Sequence, residues 1–457
     1  MKKRKFEFDL IVLGTGAGGS AAAIIAAKNG LKVAIVENDI FGGESPNYGE
    51  VPIKALSHAV KTLYEAKKGT KMGIRSGSLG YSFQSILRWK DLAIKRTGAH
   101  DNEEFYKSAG ISTFRGTARF ITPHEISVNQ AHISSEKFLI ATGSKFKIPD
   151  IPNLKNIKFL TPRTVLDIQR LPKSIFIIGG SPEAVEIAQI LSILGTKVYI
   201  SEVSARLLPK EDEEVGITIE NFMVEEMKIF VLPQTRVVSV EQDRMGKKVI
   251  FQRGGSEKFV RVEEIMIAEE RQPNTDIGLE NANIEYSESG IVVNEFLQTS
   301  SKHIFAAGSV INGKFSTSEA LLQSRVAAYN IIKTRAKISP DYSSAPRTIS
   351  TFPEIASVGL TEDDCIKRDL RIKTAIAPLN LIARSNTEDF RNGFVKLICD
   401  RRGKILGGSV VAPEASSIIQ EISLSIYANL TAQEISELPH AFQSWSEAIR
   451  VCAGRIK

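Results

Sequence analysis

Short apolar runs and glycine-rich turns set the pattern of the N-terminal region. Residues Phe8–Leu13 form a nearly continuous apolar run, as expected for a strand buried on both faces of a parallel sheet. A glycine-rich turn follows at residues 14–19, and the alanine- and isoleucine-rich segment 20–29 predicts a helix that Gly30 ends. Residues 31–36 predict a second strand, so the order is strand, turn, helix, strand.

The same order of elements returns in the middle of the chain. Residues Ser174–Ile178 predict a strand, residues 179–184 a turn, residues 185–194 a helix and residues 197–200 a second strand. This arrangement is typical of a mononucleotide-binding unit, so the sequence predicts two such units in one chain.

The first turn has the glycine spacing of a dinucleotide-binding loop. Gly14 allows the tight turn, Gly16 lets the backbone approach a pyrophosphate, and Gly19 permits close packing of the helix on the strand. The helix N-terminus offers N–H groups and a positive dipole to the pyrophosphate. Glu37 stands at the end of the second strand, where its carboxylate can accept hydrogen bonds from a ribose.

The second turn keeps part of that spacing. Gly179 is retained and Ala184 can replace the third glycine, but Ser181 stands at the middle position, where its Cβ crowds a pyrophosphate. Glu202 follows the second strand at the same distance from its turn as Glu37, and a carboxylate there favours a free ribose 2′-hydroxyl. We therefore predict a second nucleotide site that favours NAD(H) over NADP(H).

Composition and charge limit the alternatives. The chain has 457 residues, of which 42% are apolar and 24% charged, which excludes a disordered or coiled-coil protein. Its net charge is +7, but 59 basic and 52 acidic residues are interspersed, so no nucleic-acid partner is predicted. No apolar run reaches the roughly 18 residues of a membrane span. Three widely spaced cysteines exclude a disulfide-stapled secreted domain and a cysteine zinc site, and indicate a cytoplasmic protein.

Five further segments bring the chain close to a known family. They are residues 139–144 (LIATGS), 271–274 (RQPN), 304–308 (IFAAG), 352–359 (FPEIASVG) and 393–396 (GFVK). Together with the two turns, these segments resemble the pyridine nucleotide–disulfide oxidoreductase family, which includes dihydrolipoamide dehydrogenase and mercuric reductase. The resemblance implies FAD at the first turn, NAD at the second, and a homodimer in which the C-terminal domain completes the partner's active site.

The resemblance also implies a domain organisation. The fold class is α/β, with two Rossmann-like dinucleotide-binding domains and a C-terminal α+β dimerisation domain. The implied parts are the FAD-binding domain at residues 1–149 and 271–341, the NAD(P)-binding domain at 150–270 and the dimerisation domain at 342–457. Further FAD contacts are implied for Gly43, Thr142, Gly143, Gly308 and Ser309. Ser309 replaces an aspartate that the family usually places against the ribityl chain, and serine offers fewer hydrogen bonds.

The redox motif of the family is altered in this chain. The family pattern G-G-x-C-x-x-x-x-C-x-P-x-K reads G-G-E-S-P-N-Y-G-E-V-P-I-K at residues 42–54, so Ser45 and Glu50 stand where the two cysteines would. A hydroxyl and a carboxylate cannot cycle between dithiol and disulfide. The resemblance therefore implies that the disulfide relay is lost.

The C-terminal motif of the family is altered as well. The pattern H-x-H-P-x-x-x-E reads H-A-F-Q-S-W-S-E at residues 440–447. Glu447 is kept, but Phe442 stands where the catalytic histidine would, and a phenyl ring cannot transfer a proton. We interpret His440, two positions earlier, as a loop histidine.

Residues for hydride transfer remain. Lys54 matches the lysine that lies near flavin N5 in the family, and Glu186 matches the glutamate that pairs with it and contacts the nicotinamide. An ammonium group near N5 suits hydride transfer from NADH. Three roles stay open for Glu50: lowering the flavin potential from the place of the flavin-proximal sulfur, pairing with Lys54 one helical turn on, or facing solvent.

Two functions follow from these residues. The first is an FAD-dependent NAD(P)H oxidoreductase that passes hydride from NADH through FAD to a small-molecule acceptor such as a quinone, a dye or oxygen. The second is a flavoprotein pseudoenzyme that acts as a dimeric scaffold or sensor, because replacements fall on ligand or catalytic positions: Ser45, Glu50, Ser181, Ser309 and Phe442. A working disulfide or metal-ion reductase needs a reactive thiol, and we interpret Cys452 as a buried helix cysteine. We favour the first function.

Overall fold

The computed structural model describes residues 5–75, 77, 79–313, 316–333 and 335–457. The chain forms two compact units, each built from three separate segments. The first unit contains Met1–Pro52, Asp91–Lys147 and Glu270–Tyr342, and the second contains Ile53–Lys90, Ile148–Glu269 and Ser343–Lys457. The division of the chain into FAD, NAD(P) and dimerisation domains remains a prediction.

Helices and strands follow one another along most of the described chain. The helices are α1 (Ser20–Lys28), α2 (Glu44–Asn47), α3 (Glu50–Lys68), α4 (Phe83–Arg96), α5 (Glu103–Ser108), α6 (Pro182–Ile193), α7 (Glu213–Glu225), α8 (Thr317–Ile332), α9 (Glu362–Lys367), α10 (Ala383–Thr387), α11 (Ala415–Tyr427), α12 (Ala432–Glu437) and α13 (Glu447–Ala453). The strands are β1 (Phe8–Leu13), β2 (Val33–Glu37), β3 (Ser112–Arg115), β4 (Ala118–Thr122), β5 (Glu125–Val128), β6 (Ala131–Ile140), β7 (Ser144–Phe146), β8 (Ser174–Ile178), β9 (Lys197–Ser201), β10 (Phe230–Leu232), β11 (Thr235–Asp243), β12 (Gly246–Arg253), β13 (Ser256–Val262), β14 (Glu264–Ile267), β15 (Arg271–Pro273), β16 (Tyr286–Ser287), β17 (Gly290–Ile291), β18 (Ile304–Ala306), β19 (Arg347–Ile349), β20 (Glu354–Gly359), β21 (Ile372–Pro378), β22 (Phe394–Asp400) and β23 (Ile405–Ala412).

The first unit is built on a sheet that is parallel in its centre. The strand order is β3-β2-β1-β6-β5-β4, and β18 also pairs with β6. β1, β2, β3, β6 and β18 run parallel, whereas β4 and β5 form antiparallel pairs at one edge. β1 is buried along nearly its whole length because a strand lies on each side and helices α1 and α8 pack together in the same core. The predicted first strand, helix and second strand are confirmed as β1, α1 and β2, with ends shifted by at most two residues.

The second unit contains three sheets. A parallel sheet has the order β10-β9-β8-β14, and β11, β12 and β13 form an antiparallel sheet. A further antiparallel sheet has the order β19-β20-β23-β22-β21 and packs against α11. The second strand–turn–helix–strand copy is confirmed as β8, α6 and β9. The predicted α/β class is confirmed in both units.

A buried lysine joins several elements of the second unit. The Lys396 side chain on β22 is 1% exposed, and its Nζ lies 2.7 Å from Glu214 Oε2, 3.2 Å from Glu362 Oε1 and 3.5 Å from Asp212 Oδ1. Burial opposes the charge of Lys396, but the hydrogen bond to Glu214 and the nearby carboxylates outweigh burial and raise its pKa. Burial also raises the pKa of Asp212, against the hydrogen bond from Glu362 N and the charge of Lys396. The cluster ties β22 to the first turns of α7 and α9.

The model was also searched for transmembrane helices. In the part of the chain that the structure describes, no helix combines the length and the apolarity needed to span a bilayer.

Candidate functional site

The glycines of the first turn differ in what surrounds them. Gly14 has a φ of +102°, and a Cβ there would lie 2.2 Å from the carbonyl oxygen of Ala141. A Cβ on Gly19 would lie 2.2 Å from the carbonyl oxygen of Gly14, so the helix approaches the strand closely. A Cβ on Gly16 would meet only the Cα of Gly43, at 3.9 Å. The fold itself therefore requires glycine at the outer two positions, whereas it leaves open space at Gly16.

Backbone amides at the N-terminus of α1 are available to a ligand. The N–H groups of Gly16, Ala17 and Gly18 donate no hydrogen bond to any group in the described residues. The next two amides, of Gly19 and Ser20, both donate to the carbonyl oxygen of Gly16 at 3.0 Å. Unpaired N–H groups at a helix N-terminus beside open space fit an anionic diphosphate. These residues thus fit the diphosphate of a dinucleotide such as FAD.

The strand-end acid of the first copy is turned toward the glycine turn. Glu37 is 8% exposed, and its Oε2 accepts hydrogen bonds from Thr15 N at 3.0 Å and Thr15 Oγ1 at 2.5 Å. Its Oε1 accepts from the backbone N–H groups of Asn38 and Asp39, both at 3.0 Å. The carboxylate therefore fixes the turn against the end of β2, and a ribose hydroxyl would share oxygens that already accept protein hydrogen bonds.

The second copy repeats this anchoring. Glu202 is 9% exposed, and its two carboxylate oxygens accept hydrogen bonds from Gly180 N and Ser204 N, both at 2.8 Å. Gly179 has a φ of +110°, and a Cβ there would lie 2.5 Å from the carbonyl oxygen of Ala268. Both strand-end acids thus hold the second residue of their own glycine turn, a structural role that the sequence analysis did not predict.

Ser181 caps the helix of the second copy. Its Oγ accepts a hydrogen bond from Ala184 N at 3.2 Å, and Pro182 occupies the first turn of α6. Proline has no N–H group, and the amide of Ala184 is already paired, so this N-terminus presents fewer donors than that of α1. The serine therefore stabilises the helix at the expense of a diphosphate site.

Two substitutions of Ser181 separate capping from crowding. Ser181→Gly is expected to tighten NADH binding several-fold while changing the free energy of unfolding by only a few tenths of a kcal/mol, because glycine is an acceptable cap. Ser181→Ala keeps the Cβ and loses the cap, so it should cost about 1 kcal/mol and leave NADH binding no tighter. Calorimetric titration with NADH and urea unfolding measure the two effects. Equal NADH affinity in both variants would contradict the crowding role.

The other residues predicted to bind FAD lie around the first turn. Thr142 Oγ1 donates to the carbonyl oxygen of Asn274 at 2.8 Å, and Asn274 Nδ2 donates to the carbonyl oxygen of Thr142 at 2.8 Å. The backbone N–H of Asn274 donates to the carbonyl oxygen of Gly143 at 2.9 Å. A Cβ on Gly14 would lie 3.3 Å from Thr142 N, so this segment borders the turn directly.

Gly308 and Ser309 border the turn from β18. A Cβ on Gly308 would lie 3.6 Å from the Cα of Gly18, and Gly308 N donates to Gln323 Oε1 at 2.7 Å. Ser309 Oγ accepts a hydrogen bond from Ser144 Oγ at 3.2 Å. The structure therefore brings the predicted FAD residues together in the first unit.

A polar chain that the sequence analysis missed leads to Ser309. Arg271 Nη2 lies 3.2 Å from Glu44 Oε1, and Arg271 Nε donates to Ser144 Oγ at 3.0 Å. Ser144 in turn contacts Ser309. Arg271 belongs to the RQPN segment and Glu44 to the altered redox motif, but sequence spacing gave no sign that they pair.

The two altered redox positions have different environments. Ser45 lies half-buried in the short helix α2, and Glu50 is the exposed first residue of α3. Glu50 accepts a hydrogen bond from Thr317 Oγ1 at the start of α8. Of the three roles left open for Glu50, pairing with Lys54 is not the contact in the structure, whereas exposure to solvent is.

The three cysteines of the chain are buried and unpaired. Burial raises the pKa of Cys399 to about 12 and that of Cys452 to about 12, and it also raises the pKa of Cys365. Cys452 Sγ donates to the carbonyl oxygens of Ala375 and Val395. Because the thiolate is the reactive form, these thiols are inert at neutral pH. The interpretation of Cys452 as a buried helix cysteine is confirmed.

The predicted pairing of Lys54 with Glu186 is wrong for this structure. The ion pair of Lys54 is with Glu354 at the start of β20. Burial would raise the pKa of Glu354, but the hydrogen bond and charge of Lys54 outweigh it and lower that pKa. Glu186 is 8% exposed and accepts a hydrogen bond from the backbone N–H of Ser350. All four residues belong to the second unit, but the sequence gave no sign of contacts over such separations.

The C-terminal motif presents no base at its altered position. Phe442 is 77% exposed, and Glu447, the first residue of α13, accepts a hydrogen bond from Gln443 N at 3.2 Å. His440 lies in a loop, as interpreted, and its Nε2 lies 2.7 Å from Glu421 Oε1. The histidine–glutamate contact was not predicted.

Comparison with known proteins relates the whole chain to one family. The model for the pyridine nucleotide-disulphide oxidoreductases matches residues 8–329, and the model for the dimerisation domain of the same family matches residues 345–452. A mercuric reductase of Streptomyces lividans is 31% identical over 455 residues, which cover 98% of this chain and 95% of that protein. A dihydrolipoyl dehydrogenase of Thermus scotoductus is 31% identical over 453 residues, which cover 98% and 96%.

Solved structures share the fold over nearly the full length. The crystal structure of LpdA from Mycobacterium tuberculosis superposes with a TM-score of 0.87 at 25% identity, covering 98% of this chain and 99% of that one. The Cu(II) complex of RclA, an HOCl-induced flavoprotein disulfide reductase from Escherichia coli, superposes with a TM-score of 0.86 over the full length of both chains. Its identity of 23% shows likeness of fold alone.

Proposed function

Because the chain belongs to the pyridine nucleotide-disulphide oxidoreductase family, we propose that it is an FAD-dependent NADH oxidoreductase whose acceptor is not a disulfide. The observation that carries this proposal is the absence of a usable thiol. Ser45 and Glu50 occupy the positions of the redox cysteines, and the three cysteines present are buried elsewhere. With a quinone as acceptor, NADH, one proton and the quinone give NAD⁺ and the hydroquinone.

The donor side is supported by the two glycine turns. In the first unit, the unpaired amides of Gly16, Ala17 and Gly18 would bind the FAD diphosphate, and the segments at Thr142 and Ser309 would border the rest of the cofactor. In the second unit, the N-terminus of α6 and Glu202 would bind NADH. Bound FAD would supply the two-electron chemistry.

The acceptor side is supported by the lack of proton-transfer groups. Phe442 cannot act as an acid or a base, and the hydroxyl of Ser45 cannot form a mixed disulfide. An acceptor that takes its protons from water, such as a quinone, a dye or oxygen, needs neither group. This is why we assign the acceptor to that class.

We also propose a homodimer in the cytoplasm. The chain carries the dimerisation domain of the family, and this domain presents large apolar side chains to solvent in the single chain, among them Leu424 (63% exposed), Tyr427 (74%) and Phe442 (77%). A second copy would cover such residues. The unpaired cysteines suit a reducing compartment.

The choice of acceptor is tested by steady-state assays on the FAD-loaded protein. We expect NADH oxidation with a benzoquinone or a redox dye, and no turnover above the enzyme-free rate with oxidised lipoamide or glutathione. Pretreatment with iodoacetamide should leave the quinone activity unchanged, because the cysteines are buried with raised pKa values. Disulfide turnover equal to quinone turnover, or loss of activity on alkylation, would contradict the proposal.

A further inference from the structure

A pocket lies beside the strand-end acid of the second nucleotide unit. Its volume is about 370 Å³, and Val203, Thr235, Arg236 and Arg253 contribute to its walls. Val203 directly follows Glu202 in the chain and is 56% exposed. A pocket of this size is within the range of small-ligand sites.

Backbone hydrogen bonds fix this pocket to Glu202. The N–H of Thr235 donates to the carbonyl oxygen of Glu202 at 2.9 Å, and the N–H of Gln234 donates to the carbonyl oxygen of Ser204 at 2.9 Å. Thr235 lies opposite Arg253 in the antiparallel pairing of β11 with β12. Both arginines therefore stand within one rung of the residue that bonds to the strand-end acid.

The two arginines carry charge that no carboxylate balances. Within the described ranges, neither Arg236 nor Arg253 forms an ion pair, whereas Arg261 of the same sheet lies 2.6 Å from Asp243. The carboxylate nearest in the chain, Glu202, accepts hydrogen bonds from Gly180 and Ser204. Two unpaired guanidinium groups lining one pocket favour an anion, and phosphate geometry matches their donors.

The position of the pocket identifies the anion. In a strand–turn–helix–strand nucleotide unit, the acid at the end of the second strand marks the adenosine ribose, and a nearby arginine accommodates a 2′-phosphate. We propose that Arg236 and Arg253 bind the 2′-phosphate of NADPH, so that the chain accepts NADPH as well as NADH. This inference rests on the proposed function, because it assigns the nucleotide that serves the same donor site.

The hairpin also shows why the acid does not exclude a phosphate. Glu202 alone would repel a 2′-phosphate, but its carboxylate is 9% exposed and bonded to the glycine turn. The two positive charges outnumber the single negative one. A Cβ on Gly254 or Gly255, in the turn after Arg253, would meet no atom within 4 Å, so the turn leaves the edge of the pocket open.

Calorimetric titration of the full FAD-loaded chain tests the assignment. The probes are adenosine 2′,5′-bisphosphate and adenosine 5′-monophosphate, which differ only by the 2′-phosphate. At low salt we expect the bisphosphate to bind about five- to tenfold more tightly, with the advantage shrinking at high salt. The R236A/R253A variant should lose this advantage. R244A removes the same charge from the exposed turn at the opposite end of the β11–β12 ladder and should keep it.

The result also distinguishes this inference from the proposed function. Equal binding of the two probes to the unaltered chain, or an advantage that persists in R236A/R253A, would overturn the phosphate assignment. Neither result depends on flavin reduction. Failure of NADH to reduce the flavin would instead overturn the proposed function, whatever the two nucleotides show.

Discussion

Replacing Gly16 with alanine is expected to weaken FAD binding at least about 100-fold, or about 2.7 kcal/mol, while leaving the FAD-free chain as stable as before. The new Cβ would meet only the Cα of Gly43 at 3.9 Å, which is an ordinary contact. Gly16 is not among the glycines with positive φ, so alanine can adopt its backbone conformation. The Cβ would instead occupy the open space beside the unpaired amides of Gly16, Ala17 and Gly18, where a diphosphate approaches.

Gly43→Ala provides the matched control for Gly16→Ala. Gly43 has a φ of +71°, and a Cβ there would lie 2.5 Å from the Cα of Gly16, so this variant should lose stability as well as FAD. Flavin content after desalting measures the affinity, and circular dichroism in urea measures the stability of the FAD-free chains. A Gly16→Ala protein that retains FAD as tightly as the unaltered chain would contradict the assignment of this turn.

Replacing Lys396 with methionine is expected to lower the free energy of unfolding of the second unit by about 3–5 kcal/mol. Methionine fills much of the space of the lysine stem, so the expected loss is electrostatic. The change leaves Asp212, whose side chain is 2% exposed, together with Glu214 and Glu362 and without a cation. Both tryptophans of the chain, Trp89 and Trp445, lie in the second unit, so tryptophan fluorescence in urea follows its unfolding selectively.

Lys247→Met is the matched control for this loss. The Lys247 side chain is 6% exposed, but its partner Glu264 is 33% exposed and can be hydrated when the lysine is removed. We expect a loss of about 1 kcal/mol or less there. Equal losses in the two variants would show that burial of the lysine, and not the three-carboxylate cluster, sets the cost.

The Lys396 variant should also depend on pH. Burial raises the pKa of Asp212, and removal of the cation raises it further. A carboxyl group whose pKa is higher in the folded than in the unfolded state binds more protons when folded, so acidification stabilises the fold. The deficit relative to the unaltered chain should therefore be smaller at pH 5 than at pH 8. A deficit that does not change with pH would exclude Asp212 as its source.

The sequence predicts the elements of both nucleotide units well. Apolar runs such as Phe8–Leu13 are long enough, and bounded clearly enough by glycine, to fix strand, turn and helix. Helix α6 begins earlier than predicted because Ser181 caps it and Pro182 starts its first turn. That error concerns a cap, which depends on one side-chain hydrogen bond rather than on periodicity.

Contacts between distant side chains could not be predicted from the sequence. The pairing of Lys54 with Glu354 joins residues 300 positions apart, and nothing in local spacing favours Glu354 over Glu186. The inward turn of Glu37 and Glu202 depends on side-chain rotamers, which spacing from the glycine turn does not specify. Chemistry read from residue types was more secure, because no fold makes a disulfide from Ser45 and Glu50.

The central claim is that hydride transfer survives without a disulfide relay, and an anaerobic titration with NADH tests it most directly. The purified protein, loaded with FAD, is titrated while its visible flavin absorption is followed. We predict complete bleaching at about one NADH per FAD, because FAD takes two electrons and no disulfide is present to take two more. An endpoint near two NADH per FAD, flavin that NADH does not bleach, or a protein that does not retain FAD would contradict the account.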